Sequence, residues 1–161
     1  MFMVTEDARA RSFWRFSLMV YTRSGVAEAL LGLQDRGGHN VNLILFGLWL
    51  GLCEEMRLDA AGLARAKAAI ARLDRAVVAP LRALRRALKD DRDPDLRDLR
   101  RRVLAVELAG ERRVQARLAA SVAGARGAGE RAAMAEANLR LILGADFDGP
   151  VAALLLPPMA G

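Results

Sequence analysis

Between Leu63 and Leu88 apolar side chains return at steps of three and four, at Leu63, Ala66, Ile70, Leu73, Val77, Leu81, Leu84 and Leu88, and no other spacing in the chain constrains its fold as strongly. The interval matches the turn of an α-helix and not a strand, in which alternate residues share a face. The segment therefore reads as one long amphipathic helix, with Asp59 placed to cap its start. Pro80 lies inside the run. Proline lacks the amide hydrogen a helix interior uses and crowds the turn before it, so a kink near Val77–Ala79, or a break with restart, is expected.

A second run, Leu96, Leu99, Val103, Val106, Val114, Leu118 and Val122, repeats the spacing behind Asp93-Pro94, a capping residue followed by proline at the first helical position. The polar link Asp90–Asp93 is too short for anything but an antiparallel return, so the two runs form a helical hairpin. Upstream, a first helix is expected from about Ser12, as its cap, to Tyr21. Gly25 ends that stretch, and a second helix runs from Val26 to about Arg36 before Gly37 and Gly38. A third, from about Val41 to Met56 behind Asn40, is apolar almost all round and so belongs at the centre. Gly47 and Gly51 share one face of it, where another helix can approach closely. Trp49 and Trp14 are the natural large pieces of the core. Gly124, Gly127 and Gly129 mark a loop before a last helix from about Glu130 to Leu143, which Gly144 ends.

The fold expected is all-α, a bundle of five or six helices with one long antiparallel hairpin. Residues 1–144 read as a single helical domain: an aromatic three-helix part at 12–56, an Arg-rich hairpin at 59–122 and the last helix at 130–143. An irregular tail occupies 145–161. Seven of the eight aromatic residues precede residue 50, while eight of the 25 basic residues lie between 60 and 89 against Asp74 alone.

Chemistry-bearing residues are few. His39, the only histidine, sits in a Gly-Gly-His-Asn turn and reads as a solvated loop residue. A single cysteine, Cys53, excludes an intramolecular disulfide and a cysteine zinc cluster, and inside its apolar run it reads as a small buried hydrophobe. The Asp91-x-Asp93-x-Asp95 pattern has Leu96 and Arg102 where a calcium loop needs glycine and glutamate, so capping explains it better. Gly124-x-x-Gly127-x-Gly129 lacks the strand and lysine of a phosphate loop. No metal, cofactor or catalytic set is therefore assigned. The longest apolar stretch, Val41 to Cys53, falls short of the ~20 residues of a membrane span, and the start of the chain does not read as a secretory signal. The expected location is cytoplasmic.

Two groups of residues stand out. Arg65, Arg72, Arg75, Arg82, Arg86 and Lys89 recur along one side of the long helix, and Arg82, Arg85, Arg86 and Lys89 are its candidate partner-binding residues. A solvated face is the plain reading, and the lack of interleaved aromatics argues against base stacking. Gln34, Asp35, Asn40 and Asn42 gather around the turn between the second and third helices, where capping explains them most simply and a ligand contact is the sharper alternative.

The residues Phe13-Trp14-x-Phe16-Ser17-x-x-Val20-Tyr21, Leu33-Gln34-Asp35 and Val41-Asn42-Leu43-x-Leu45-x-x-x-Trp49, with Pro80-Leu81-Arg82-x-Leu84-Arg85-Arg86-x-Leu88-Lys89, resemble an uncharacterised proteobacterial family of about this length. The resemblance covers about residues 12 to 110. It implies a shared fold, transfers no catalytic residue, and strengthens a binding role for the segment Pro80 to Lys89. The leading expectation is a non-enzymatic interaction protein, in which the Arg-rich surface or the hairpin seam binds another protein or a second copy. A polyanion-binding module for RNA, DNA or anionic lipid is the alternative. A small-molecule site around Gln34, Asp35, Asn42 and Trp49 would need a deep, partly polar pocket there.

Overall fold

A computed structural model describes residues 2–122 and 126–157; among them the regular elements are all helical, namely α1 (Phe2–Tyr21), α2 (Val26–Gly37), α3 (Val41–Leu52), α4 (Ala60–Leu73), α5 (Ala79–Ala87), α6 (Pro94–Ala120), α7 (Arg131–Leu143) and α8 (Gly149–Leu155). The all-α expectation holds. Among the described residues no helix is long and apolar enough to cross a membrane. Gly124 and residues 158–161 lie outside the described part.

The helix that the sequence makes apolar all round becomes the centre of the molecule. Every residue of α3 from Val41 to Gly51 is buried. Asn40 caps it, its side-chain oxygen accepting the backbone N–H groups of Asn42 at 2.9 Å and Leu43 at 3.3 Å. α7 lies on the Gly47–Gly51 face so closely that a Cβ added at Gly51 would overlap the backbone of Ala135. Asn138 of α7, wholly buried, joins the two helices. Its amide donates to the carbonyls of Gly47 and Met56, both at 3.0 Å, and its oxygen accepts the Leu58 N–H at 2.7 Å. A buried amide so fully bonded avoids the cost of an unsatisfied polar group.

On the other side of α3, Trp49 stacks on Phe13 of α1 with ring centroids 5.1 Å apart, and its indole N–H donates to Ser12 at 3.2 Å. Ser12 is therefore no cap: α1 begins ten residues earlier, and the serine sits within it as a partner for Trp49. Trp14, one position beyond Phe13, is only half-buried, with the Arg112 guanidinium over its ring at 5.1 Å. Cys53 is also a correction. It falls after the last turn of α3, where the apolar run meets solvent, and is exposed.

The hairpin forms from α4, α5 and α6, with Asp59 and Asp93 as the expected N-caps. Pro80 bends it through a π-helical turn at Asp74–Val78, in which the Ala79 N–H reaches back five residues to the Asp74 carbonyl. The wider turn accommodates the proline and inserts one extra residue into the helical register. Val78 is pressed inward against Gly110 of α6, where a Cβ would come within 2.9 Å of it.

On α6 the expected apolar seam holds at Val114 and Leu118 but not at Leu99 and Val106. Leu99 and Val106 are about half exposed, whereas Glu107, Gly110, Val114, Gln115 and Leu118 face inward. The segment expected as irregular tail carries a 3-10 turn, Gly144–Asp146, and then α8, capped by Asp148 and anchored by the buried Leu155. Arg23 holds it by donating to the carbonyls of Leu155 at 3.1 Å and Leu156 at 3.2 Å. His39 is tied down as well, its Nε2 lying 2.6 Å from the Asp146 carboxylate.

Candidate functional site

A cleft of about 340 Å³ opens where α1, α2 and the start of α3 meet α5 and α6. Trp14, Leu18, Tyr21, Leu31, Leu104 and Leu108 form its walls. Its floor is polar, and it arises from two helix spacings. Glu107, Glu111 and Gln115 recur every fourth residue on α6 and so share one face, while Arg82 and Arg85 lie three apart on α5, which the hairpin folds against that face.

The groups join into one network. The guanidinium of Arg85 grips Glu107 through Nε and, at 3.1 Å, through Nη2. Arg82 donates to Glu111 and lies 3.6 Å from Glu107. The Asn42 amide donates to Glu111, the Gln115 amide donates to Asn42 Oδ1 at 3.0 Å, and the Ser17 hydroxyl lies 3.2 Å from Gln115 Oε1 and 3.0 Å from the Phe13 carbonyl. Glu107 has a side chain only 6% exposed. A buried carboxylate is tolerable only when paired and hydrogen-bonded, and here two arginines supply both conditions. The hydrogen bond to Glu107 raises the Arg85 pKa above its ordinary value against the effect of burial.

Tyr21, on the wall, has its phenol pushed up to about 12, chiefly by burial and then by the negative charge of Glu111, with Arg82 opposing. At neutral pH it is a hydrogen-bond donor. Its hydroxyl, the Trp14 indole N–H and the Gln34 amide have no hydrogen-bond partner among the described residues.

The residues singled out in the sequence divide among several roles. Arg82 and Arg85 turn inward to the floor. The π turn accounts for this, because one inserted residue rotates the rest of the helix by about 100° relative to Arg65, Arg72 and Arg75, which stay exposed. Arg86 stands at the mouth, 3.1 Å from Asp35, in an exposed pair. Lys89 is exposed and lines no part of the cleft. Gln34 lines the cleft, Asp35 reaches it only through Arg86, Asn40 is spent on its cap, and Asn42 belongs to the floor, so capping explains one of the four. Trp49 packs in the core and not on the cleft. Sequence reasoning missed Ser17, Tyr21, Glu107, Glu111 and Gln115. The available signal was the four-residue step of Glu107, Glu111 and Gln115, opposite two arginines across a hairpin. Asp91 and Asp93 accept backbone N–H groups of Asp93 and Asp95, and among the described residues no three His, Cys, Asp or Glu side chains converge as metal ligands would.

A family model described as a protein of unknown function, DUF2390, matches residues 12–118, which contain every residue that lines this cleft. The chain belongs to that family. No curated protein and no solved structure matches it.

Proposed function

We propose that this member of the DUF2390 family is a binding protein and not a catalyst, and that its ligand is a small amphipathic molecule seated in the cleft between α1, α2, α5 and α6. The observation that carries the reading is the cleft itself, at about 340 Å³, with apolar walls over a polar floor whose charges already neutralise one another. Small-molecule sites span about 300–1,000 Å³ and share this build of apolar walls with a few convergent polar groups. A self-neutralised floor demands no strong counter-charge from the ligand, and three unbonded donors at Trp14, Tyr21 and Gln34 can orient one.

Titration with N-phenyl-1-naphthylamine, an uncharged fluorophore, tests this. One saturable site is expected, lost in Leu108→Asp while helicity is kept. Absence of saturable binding, or binding indifferent to Leu108→Asp, refutes it.

A second reading, a protein partner or a second copy on the hairpin, draws support from Leu84, Leu99 and Val106, which expose about half of their surface on α5 and α6. Sedimentation at rising concentration would reveal self-association and its loss in Val106→Glu. A polyanion site would draw on exposed cations such as Arg65, Arg72, Arg75, Arg86 and Lys89, since Arg82 and Arg85 are occupied by glutamates.

A further inference from the structure

The charges that line the cleft do not quite cancel. Three arginines, Arg82, Arg85 and Arg86, face two glutamates, Glu107 and Glu111. The first two arginines are committed to those glutamates, so the surplus positive charge sits on Arg86. Among the described residues its ion-pair partner is Asp35, outside the cleft lining, in a pair whose side chains are 44% and 52% exposed. Exposed pairs of this kind are weak and screened, so an incoming anion can replace Asp35 at little cost. Replacing Glu107, by contrast, would strand two partly buried guanidinium groups.

The free donors are arranged unevenly around this charge. Gln34, the neighbour of Asp35 in α2, lines the same cleft as Arg86, and its side-chain amide has no hydrogen-bond partner among the described residues. Toward Tyr21 the available arginine, Arg82, is already held by Glu111. An anion is thus better received beside Arg86, whose pair with Asp35 is exposed, than at the Tyr21 end. The apolar walls between them continue along α1 and α6.

Resting on the ligand-binding reading above, we infer that the ligand is a monoanionic amphiphile, whose carboxylate or similar head takes the place of Asp35 on Arg86 and accepts from Gln34, while its apolar body lies against Trp14, Leu18, Leu104 and Leu108. The floor network is not consumed by binding. It keeps the inner charges silent, so that the head is read at the mouth.

Calorimetric titration of the full chain with octanoate, octanol and octylammonium, which share one body, isolates the head. Octanoate should bind about tenfold more tightly than octanol, the scale of a charge-assisted hydrogen bond, and octylammonium most weakly. Arg86→Gln should bring octanoate to the level of octanol and leave octanol unchanged. Asp35→Asn, which frees Arg86, should tighten octanoate alone. Both positions are exposed, so neither change should move the unfolding midpoint far. Equal binding of octanoate and octanol, a preference for octylammonium, or an octanoate preference that survives Arg86→Gln overturns the anionic head and leaves the cleft reading standing. Failure of all three probes and of the uncharged fluorophore removes both.

Discussion

Replacing Glu107 by glutamine keeps the shape of the side chain and removes the charge that Arg82 and Arg85 share. Breaking a buried ion pair by deleting one partner costs about 3–5 kcal/mol when the survivor stays desolvated. The survivors here are less confined. Arg82 and Arg85 have side chains 17% and 24% exposed, the cleft gives them room to turn toward water, and Glu111 still holds Arg82. A loss of roughly 2–3 kcal/mol is therefore expected, between the full penalty and that of a lost charged hydrogen bond. Urea unfolding reads it directly, provided the slope with denaturant is unchanged. Asp98→Asn is the comparison, because Asp98 bonds Arg101 and Arg102 on an exposed face, where water and salt screen such pairs. Combining Glu107→Gln with Arg85→Met should cost less than the two changes added together, since the second removes a guanidinium that the first leaves unmatched. If Glu107→Gln costs no more than Asp98→Asn, the floor network is not holding the hairpin and the reasoning is wrong.

Packing and electrostatics each give one more expected outcome. Gly51→Ala places a methyl group on the Ala135 backbone, which no rotamer change relieves, so α3 and α7 must separate at a cost of about 2 kcal/mol or more, despite alanine's better helix propensity; a neutral or stabilising result by thermal unfolding would show that the two helices are not held together there. Tyr21 is the only tyrosine, so phenolate absorbance at 295 nm reports it alone, and it should remain largely protonated at pH 10 with a midpoint near 12. A raised folded pKa sets the sign: this group's contribution to stability is complete below pH 10 and is lost as the pH climbs toward 12, whereas half-titration at pH 10 in the folded chain would show that the cleft does not desolvate the phenol.

How much of this the sequence discloses depends on which rule is applied to it. Three-and-four spacing finds the helices because apolar burial dominates their packing, and it places α3 at the centre for the same reason. Capping residues and glycines find several of the ends, as at Asn40, Asp59, Asp93 and Gly38, because unsatisfied backbone groups and left-handed φ angles restrict the residue types allowed. The same spacing rule hides the cleft. It assigns Glu107 and Gln115 to solvent because they are polar, and assigns Leu99 and Val106 to a seam because they are not, whereas the structure pairs the polar residues and leaves the apolar ones half exposed. Pro80 signals an irregular turn, but it does not say that the helix widens by one residue, and that single residue carries Arg82 from the exposed stripe to the floor. Asn42 is the sharpest case. Its position beside Asn40 invites a capping role, yet its side chain links Glu111 to Gln115.

The polar floor has a consequence for the shape of the cleft. α5 contains no buried residue; Leu81 near its start and Leu88 just past its end are only half-buried. The contacts that seat α5 on α6 are therefore largely directional: Arg82 and Arg85 on the two glutamates, and the Arg100 guanidinium donating to the Arg85 carbonyl at 3.2 Å. Apolar residues in place of these charges could hold the hairpin as firmly, because burying ion pairs returns little net stability. They would also give the leucines of the walls a floor to close upon, and the hydrophobic effect would favour collapse. Ion pairs fix distance and rotation without inviting that closure. The width of the cleft and the place of Arg86 at its mouth then depend on the same four charges, so Glu107→Gln should speed amide exchange across Ala79–Ala87 while leaving α3 protected, and should weaken the uncharged fluorophore along with stability. Loosening spread evenly over the molecule would show instead that α5 is held by general packing and that the network has no part in keeping the cleft open.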